Sequence, residues 1–370
     1  MEISSINMIS FRNHDKTNIS FDPGITIIWG KNGSGKTSIL EAIHSLSIGS
    51  SFRTNNKKEL IKKGTNNFLI EGLFKNKKGV ENRVFFSQDI KGNKKIKINN
   101  KEIKKRKEIL GLNNVVVFSP EEETITKNGP KNRRKFFNKV FSIVSKKYLE
   151  DLLKYNSILQ HRNAVLKMGL KKRINKEIEI WNEQFVEIAE KIWRQREKLL
   201  DEFLFVFKET LKNLELGIVC NISYDIKKTR KKDLLISLEE RIEAEVALGF
   251  TTIGPHRDEF VFDWAGRSIK KNGSQGEHKM FLALLKITEL LFISKKTNKN
   301  PVFLIDDIFA NLDIKRSKRL LRFVEKLRFH ENFKPQTIIT TTDLVGVQKE
   351  GFFSNYGEIK KHKLQINETP

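Results

Sequence analysis

Cysteine is almost absent from this chain of 370 residues, which contains one, Cys220. A single cysteine excludes an internal disulfide framework and a cysteine-rich zinc site, and both exclusions fit a reducing compartment. The sequence also lacks an apolar run of about 18 residues, and its N-terminus lacks the positive stretch and apolar core of a signal peptide. We therefore expect a soluble cytoplasmic protein with no membrane partner.

Acidic residues are outnumbered by basic ones, 45 to 70, which gives a formal net charge of +25. A basic chain attracts nucleic acid through its phosphates. The sequence is also rich in Lys, Asn, Ile and Phe, a composition that coding bias can produce. Charge alone therefore does not decide whether the positive net charge reflects nucleic-acid binding or coding bias. Candidate DNA contacts, each of which is individually more typical of a solvated charge, are Lys57, Lys58, Lys62, Lys63, Arg133 and Arg134.

No internal repeat is present, and three stretches differ in their periodicity. Residues 1–125 alternate short β-like runs with Gly and Asn turns, residues 126–215 have apolar positions three and four apart, and residues 216–370 return to β character. This pattern predicts an α/β head that is interrupted by a helical arm. The predicted strands cover residues 25–28, 67–74, 82–87, 95–98, 115–118, 217–224, 260–264, 302–305 and 337–341.

A phosphate-binding loop is predicted where G-x-x-x-x-G-K-[ST] follows a β-branched run and precedes a helical pattern. Glycines allow a tight turn whose N–H groups point at a polyphosphate, and the helix N-terminus adds partial positive charge. Lys36 would reach the β and γ phosphates, and the Thr37 hydroxyl would be a Mg²⁺ ligand. The predicted nucleotide-binding residues of this loop are Gly30, Lys31, Asn32, Gly33, Ser34, Gly35, Lys36 and Thr37.

Two acids, Asp306 and Asp307, follow the apolar run at residues 301–305. A buried strand delivers such carboxylates at its C-terminal end, where ligands of open α/β sheets gather. Asp306 is predicted to hold Mg²⁺ and Asp307 to orient or deprotonate the attacking water. The alternative for a carboxylate pair in this place is a helix N-cap.

A third motif, Gly273-Ser274-Gln275-Gly276-Glu277, leads into another helical pattern. A serine at a helix start offers a hydroxyl, N–H groups and the helix dipole, which together suit an anion, although an ordinary N-cap has the same sequence. A second anion site so far along the chain from the phosphate loop raises the question of how the two would meet.

The order of these motifs resembles the ABC ATPase heads of the chromosome-maintenance and Rad-type DNA repair class, and within it the RecF family. The order is phosphate loop, helical insertion, serine-glycine signature, strand with paired acids, then Ala310-Asn311-Leu312-Asp313. The closer match spans almost the whole chain. It is carried by Ser10-Phe11-Arg12-Asn13, Ser51-Phe52-Arg53-Thr54, Phe118-Ser119-Pro120-Glu121, Gly254-Pro255-His256-Arg257-Asp258, Ser274-Gln275-Gly276-Glu277, Leu304-Ile305-Asp306-Asp307 and Thr340-Thr341-Thr342-Asp343.

The resemblance implies a P-loop NTPase of the ABC ATPase type, similar to an SMC head, with a helical insertion lobe. It implies ATP-driven dimerisation on DNA at gaps or junctions between single- and double-stranded DNA, help in loading recombinase at stalled forks, SOS induction, and mediator partners of the RecR and RecO type. In such dimers, Ser274 and Gly276 would complete the nucleotide site of the opposite subunit, and Asp313 would belong to the adjoining D-loop.

Departures from the general ABC pattern predict a weak, DNA-stimulated ATPase that acts as a switch. The signature reads Gly-Ser-Gln-Gly-Glu, and the second acid is Asp307 where glutamate is usual. An aspartate is one methylene shorter, so slow hydrolysis is expected. A switch histidine is not evident, and Thr342 or Asp343 is the candidate for its role. A glutamine loop is not evident either, and the candidate region for it is Ser119 to Glu121.

His256 and Arg257 are given structural roles rather than catalytic ones, and Arg257 is expected to pair with a carboxylate. Two other protein classes share the phosphate loop. The nucleotide-binding subunit of a membrane transporter is disfavoured by the long helical arm, and a kinase or GTPase is disfavoured by the serine-glycine signature. A GTPase is further disfavoured because no guanine-recognition string is found.

Overall fold

The computed structural model describes residues 1–76, 79–169, 172–213, 217–225, 231–307, 335–342 and 359–363. Within these ranges, no helix is both long enough and apolar enough to cross a membrane.

The strands are β1 Glu2–Phe11, β2 His14–Ser20, β3 Ile25–Trp29, β4 Asn67–Lys75, β5 Glu81–Asp89, β6 Lys94–Ile98, β7 Lys101–Glu102, β8 Val115–Phe118, β9 Cys220–Asp225, β10 Glu259–Trp264, β11 Arg267–Ser268, β12 Val302–Ile305, β13 Thr337–Thr341 and β14 Ile359–Lys363. The helices are α1 Lys36–Ile48, α2 Thr124–Lys127, α3 Pro130–Val144, α4 Lys146–Lys167, α5 Lys172–Asn213, α6 Lys231–Glu240, α7 Ile242–Leu248, α8 Ile269–Asn272 and α9 Gln275–Thr297. Short 3₁₀ helices cover Lys57–Leu60, Arg106–Glu108 and Pro120–Glu123.

The chain divides into two compact units, which comprise Met1–Thr124, Glu209–Leu216 and Ser274–Pro370 in unit 1, and Ile125–Lys208 and Gly217–Gly273 in unit 2. The sequence-based division differs from this one over residues 209–215, which it placed in the helical arm, and over residues 217–273, which it placed with the ATPase lobe. Residues 217–273 account for the larger difference. The physical reason is aromatic packing inside unit 2, where Phe137 of α3 stacks on Phe260 of β10 with ring centroids 4.1 Å apart.

Unit 1 contains an antiparallel sheet of six strands in the order β2-β1-β4-β5-β6-β7. Its strands alternate buried and exposed positions, as expected where one face covers a core. The buried face packs with α1 so closely that a Cβ on Gly72 would lie 2.6 Å from the Leu46 side chain. The core of this unit therefore lies directly beneath the helix that follows the phosphate loop.

The second sheet of unit 1 is parallel, with the order β14-β3-β13-β12-β8. Strands β8, β12 and β13 are buried at every position, which explains their continuous apolar and β-branched sequences. Because the strands are parallel, the residues after β3, β8, β12 and β13 meet at one edge of the sheet. All the predicted nucleotide-site residues except Ser274 and Gly276 follow β3 or β12.

Unit 2 holds α3, α4 and most of α5, together with a sheet of three strands in the order β11-β10-β9. A buried ion pair joins Arg196 of α5 to Asp258, with 2.8 Å between Nη1 and Oδ2. The indole of Trp193 and the hydroxyl of Tyr224 also donate to Asp258. A buried charge is tolerated only when it is paired and hydrogen-bonded in this way.

Candidate nucleotide site

The phosphate loop is held from outside by the turn between β1 and β2. The Asn13 side-chain amide donates to the Gly33 carbonyl at 3.0 Å, and Nε2 of His14 lies 3.1 Å from the Gly35 carbonyl oxygen. Gly35 has a φ of +95°, and a Cβ there would lie 2.4 Å from Nε2 of His14. The loop therefore requires glycine at this position for both its backbone conformation and its packing.

Lys36 begins α1 and folds back over the loop, where its Nζ donates to the carbonyls of Gly30 at 2.8 Å and Lys31 at 2.9 Å. Burial lowers the pKa of Lys36, and the charges of Asp307 and Asp306 act in the opposite direction. The ammonium group is therefore positioned inside the curve of the loop and close to both predicted acids.

Thr37 and Asp306 are in direct contact. The Thr37 hydroxyl lies 2.9 and 3.0 Å from the two carboxylate oxygens of Asp306, and the Thr340 hydroxyl donates to Oδ1 of Asp306 at 2.6 Å. Asp306 follows β12, Thr340 lies in β13, and Thr37 lies in the first turn of α1, which follows the loop after β3. The structure thus brings together the two residues that were predicted to bind metal.

The donors present fit Mg²⁺, which prefers oxygen ligands from hydroxyl and carboxylate groups. Burial raises the pKa of Asp306, and the neighbouring charges of Glu121 and Asp307 raise it further, against the hydrogen bonds from Thr340 and Thr37. A divalent cation would offset that concentration of negative charge. The loop also contains Ser34 Oγ, which is buried and has no hydrogen-bond partner among the described residues.

Asp307 lies beside the loop, is half-buried, and has a left-handed backbone with a φ of +43°. Asp and Asn tolerate this conformation better than most residues other than glycine. Its backbone N–H donates to the Thr340 hydroxyl at 3.1 Å. Burial raises the pKa of the Asp307 carboxyl, while Lys36 and Lys279 lower it.

These groups surround a cavity of about 420 Å³, within the range of roughly 300–1,000 Å³ that is common for small-molecule sites. Its lining includes the predicted residues Asn32, Gly33, Gly35, Lys36, Thr37, Asp306 and Asp307, and also Arg12, Asn13, Ser38, Arg53, Glu59, Thr340 and Thr342.

Sequence reasoning missed a functional role for several of these lining residues. Arg12, Asn13, Arg53 and Thr340 all stand in strings that carry the family resemblance, so those strings were the available signal. Their roles could not be derived from spacing, because only the folded β1–β2 turn, the segment after α1 and strand β13 bring them to the loop.

Ser274 is the N-cap of α9 and forms a capping box with Glu277, in which the Ser274 Oγ accepts from the Glu277 N–H at 3.3 Å. The Glu277 carboxylate accepts from the Ser274 N–H at 2.7 Å. Ser274 is exposed, and Gly276 lies in the first turn of the helix. Neither residue is among those that line the cavity of the same chain.

The remaining predictions for this site have mixed outcomes. Thr342 lines the cavity, whereas Asp343 and the D-loop residue Asp313 lie outside the described residues. Glu121, in the proposed glutamine-loop region, follows β8 and raises the pKa of Asp306 through its charge.

His256 has a structural position, since its Nδ1 lies 2.5 Å from the Tyr155 hydroxyl and its Nε2 lies 2.9 Å from the Thr251 carbonyl oxygen. Arg257 was expected to pair with a carboxylate. Its observed partners are instead the Thr251 carbonyl at 3.2 Å and the ring of Phe250, with 4.9 Å between the guanidinium carbon and the ring centroid.

The candidate DNA contacts separate by burial. Arg133 is buried and pairs with Glu259 at 2.7 Å, and Arg134 donates to the Asp258 carbonyl at 2.5 Å, so both have structural partners. Lys62 is half-buried and bridges to Asp15 at 2.5 Å. Among the candidates, the exposed residues are Lys57, Lys58 and Lys63.

Comparison with known proteins agrees with the family that the sequence motifs of this site resemble. The model described as RecF/RecN/SMC N terminal domain matches residues 2–358. A DNA replication and repair protein RecF from Clostridium botulinum strain Okra is 34% identical over 375 residues, which cover 98% of this chain and 100% of that protein.

Solved structures agree with this result. A structure described as the recombination mediator protein RecF with ATP in the RecFOR pathway aligns with a TM-score of 0.83 and 31% identity, over 93% of this chain and 92% of that one. The Smc head domain of Pyrococcus furiosus shares the fold alone, with a TM-score of 0.57 and 18% identity over 98% of this chain and 94% of that one.

The predicted fold class is thereby confirmed, and the transporter alternative is not favoured. The chain has a phosphate loop beside paired acids, an SMC-like head fold and full-length similarity to RecF proteins. It therefore belongs to the RecF family of DNA replication and repair proteins.

Proposed function

We propose that the chain is an ATP-driven DNA-binding switch that acts in the cytoplasm during DNA replication and recombinational repair. The observation that carries this proposal is the contact of Thr37 with Asp306 beside a cavity that Lys36 also lines. This contact supports an ATP site, because it places a hydroxyl and a carboxylate suited to Mg²⁺ next to a loop suited to phosphates.

Within this site, the loop from Gly30 to Thr37 would hold the phosphates, and Lys36 would leave the carbonyls of Gly30 and Lys31 to contact them. Thr37 and Asp306 would hold Mg²⁺, which neutralises charge on the β and γ phosphates when it is bound. The proposal draws support from the relative whose structure is described as containing ATP.

Asp307 would orient or deprotonate the attacking water. Its half-buried position on the cavity and its raised pKa suit a general base, which works best when its pKa lies nearer the operating pH. The short aspartate side chain favours slow hydrolysis, weakly stimulated by DNA. Slow hydrolysis is appropriate for a switch that must persist in its ATP-bound state.

Two chains would pair when ATP is bound, and Ser274 with Gly276 of one chain would contact the γ phosphate held by the other. This proposal is supported by the exposed position of Ser274 at the N-terminus of α9, where the helix dipole favours an anion. It also accounts for a cavity whose lining in one chain does not include Ser274.

DNA with gaps or junctions between single and double strands is the proposed ligand of the paired form. The exposed Lys57 and Lys58 support a link between DNA and nucleotide, because they are adjacent to Glu59, which lines the cavity. Proteins of the RecR and RecO type are the proposed partners, with aid to recombinase loading at gaps and stalled forks and to SOS induction as the outcome.

The central test measures phosphate release with and without gapped duplex DNA, while sedimentation follows the oligomeric state with a slowly hydrolysed ATP analogue. We expect slow release that DNA increases, and dimers that form only with the analogue. ATP binding without any change of oligomeric state would contradict the switch, and an absence of ATP binding would contradict the site itself.

A further inference from the structure

A fully buried carboxylate, Glu41, lies in the middle of α1, with a side-chain exposure of 0%. Its neighbours along the helix are apolar, including Leu40 and Ala42. A buried charge is costly unless it is paired and hydrogen-bonded, so its partners indicate what the carboxylate is for. Those partners come from two separate segments that both reach the nucleotide cavity.

The first partner is Arg12, which makes a two-point contact with Glu41. Its Nε lies 2.8 Å from Oε2 and its Nη2 lies 2.6 Å from Oε1, and its Nη1 also donates to the Glu59 carbonyl at 2.8 Å. The Arg12 backbone is left-handed, with a φ of +56°, and its N–H donates to the Leu60 carbonyl at 2.8 Å. Both the backbone and the guanidinium of Arg12 are therefore fixed in one geometry.

The second partner is the segment from Ser51 to Arg53. The Ser51 hydroxyl donates to Glu41, and the same oxygen accepts from the N–H groups of Arg53 at 2.8 Å and Thr54 at 3.1 Å. The Arg53 guanidinium lies 3.5 Å from the Glu41 carboxylate. Glu41 thus orders the turn that carries Arg53 and also attracts its side chain directly.

We infer that Glu41 is a positioning residue, which holds the guanidinium groups of Arg12 and Arg53 at the wall of the cavity so that they meet an anionic nucleotide. Both arginines line that cavity. A guanidinium that is already fixed loses little rotational freedom when a phosphate oxygen binds it. This inference rests on the proposed ATP site and adds to it a buried group that does not itself line the cavity.

The test compares Glu41→Gln with Glu245→Gln as a matched control. Glu245 is also 0% exposed and also lies 2.6 Å from an arginine, Arg162, but it belongs to unit 2. Both variants remove the charge of a fully buried carboxylate that pairs with an arginine, a two-point contact at Glu41 and a single contact at Glu245. We expect both to melt at lower temperature, but only Glu41→Gln to raise the dissociation constant for a fluorescent ATP analogue, by roughly tenfold.

A cycle of substitutions shows whether Glu41 acts through the arginines. In a chain that carries Arg12→Gln and Arg53→Gln, the further change Glu41→Gln should leave the dissociation constant unchanged. If Glu41→Gln does not fold, the partly exposed Arg53→Gln alone should weaken nucleotide binding severalfold. The unchanged dissociation constant in the triple variant supports the positioning role of Glu41, and weaker binding by Arg53→Gln supports the contact of the positioned guanidinium with the nucleotide.

Parental nucleotide affinity in Glu41→Gln would overturn the inference, as would an equal loss of affinity in Glu245→Gln or parental affinity in both single arginine variants. Failure of the proposed function is a separate outcome. In that case the unmodified chain would not bind the analogue, or Lys36→Ala would bind it as well as the unmodified chain does.

Discussion

The Thr37 hydroxyl lies within 3.0 Å of both carboxylate oxygens of Asp306, although 269 positions separate the two residues in the chain. The contact fixes the edge of β12 against the start of α1, with the two groups that we propose as metal ligands already side by side. Small rearrangements, rather than assembly of the site, are then required when a cation binds. Pre-organisation of this kind reduces the entropic cost of binding.

Substitution at Lys36 and at Asp307 should separate nucleotide binding from hydrolysis. Lys36→Ala removes the cation inside the loop and should weaken ATP binding by about tenfold or more. Asp307→Asn keeps the shape of the side chain and should bind ATP normally while phosphate release slows by roughly 10²-fold to 10⁴-fold. Equilibrium binding and phosphate release are measured on both, and hydrolysis at the parental rate by Asp307→Asn would show that another group positions the water.

The pH dependence of hydrolysis should reflect the raised pKa of Asp307. The proposed base is active when ionised, so the rate should fall as the pH drops through the pKa of Asp307, which lies above the ordinary aspartate value of 3.8. Single-turnover phosphate release at a series of pH values measures this midpoint. Asp307→Asn is the control, since its residual rate should lack that step.

Ser274→Arg should distinguish a signature helix that acts within one chain from one that acts across a dimer. If it acts across a dimer, the affinity of the monomer for ATP stays close to that of the parent, because the phosphate loop and Asp306 are intact. ATP-driven dimerisation and hydrolysis should both be lost, because a bulky cation replaces a small hydroxyl. Sedimentation with an ATP analogue, together with phosphate release, tests this expectation.

Mixing Ser274→Arg with Lys36→Ala provides the control for that experiment. A mixed dimer contains one composite site with an intact loop and an intact serine, so partial activity should return. If the Ser274→Arg protein still dimerised with ATP as the parent does, the composite site would be contradicted.

DNA affinity should fall steeply as salt rises from about 50 to 200 mM, because phosphate contacts release counterions. It should vary little with base sequence, since phosphate contacts carry none of that information. Replacing both Lys57 and Lys58 by Gln should reduce the steepness of the salt dependence, whereas Arg133, which is buried and paired, is not suitable for this test. Affinity that does not change over this salt range would argue against DNA binding through phosphates.

Unit 2 should lose stability in mild acid because of His256. The Thr251 carbonyl can only accept, so Nε2 of His256 carries the proton and Nδ1 accepts from Tyr155. Burial lowers the pKa of His256 from 6.5 to about 4. The unfolded chain therefore binds this proton first, and up to about 3 kcal/mol of stability should be lost as the pH falls from about 6.5 to about 4.

His256→Asn should be less stable than the parent at neutral pH but should lose less stability on acidification. Thermal unfolding at several pH values measures this difference. His161→Asn, at an exposed position, is the comparison. Equal acid sensitivity of His256→Asn and the parent would show that other groups control the pH dependence.

Much of the architecture could be predicted from local patterns in the sequence. The predicted strand at residues 115–118 is β8 without change, and the predicted run at residues 302–305 is β12, because buried parallel strands have continuous apolar sequences. Strands β1 and β2 were not predicted. Their exposed and half-buried positions are mostly Ser, Asn and other polar residues, and this composition weakens the strand pattern.

The candidate site could be predicted only in part, because some of its residues come from distant parts of the sequence. Gly33, Lys36 and Thr37 lie in one contiguous motif whose chemistry depends on the local backbone. Arg12 reaches the same cavity through a left-handed turn and a partner, Glu41, on another element. Contacts of this type arise from tertiary packing, which spacing in the sequence does not encode.

The order of the parallel sheet has a consequence for synthesis on the ribosome. Strand β3, which leads into the phosphate loop, has β13 and β14 as its two neighbours, and both are translated after residue 335. A nascent chain therefore carries the complete phosphate-loop sequence long before either supporting strand exists. We expect a chain stalled before residue 335 to show no protection of residues 30–37 from protease by ATP, so that nucleotide capture begins only when translation is nearly finished.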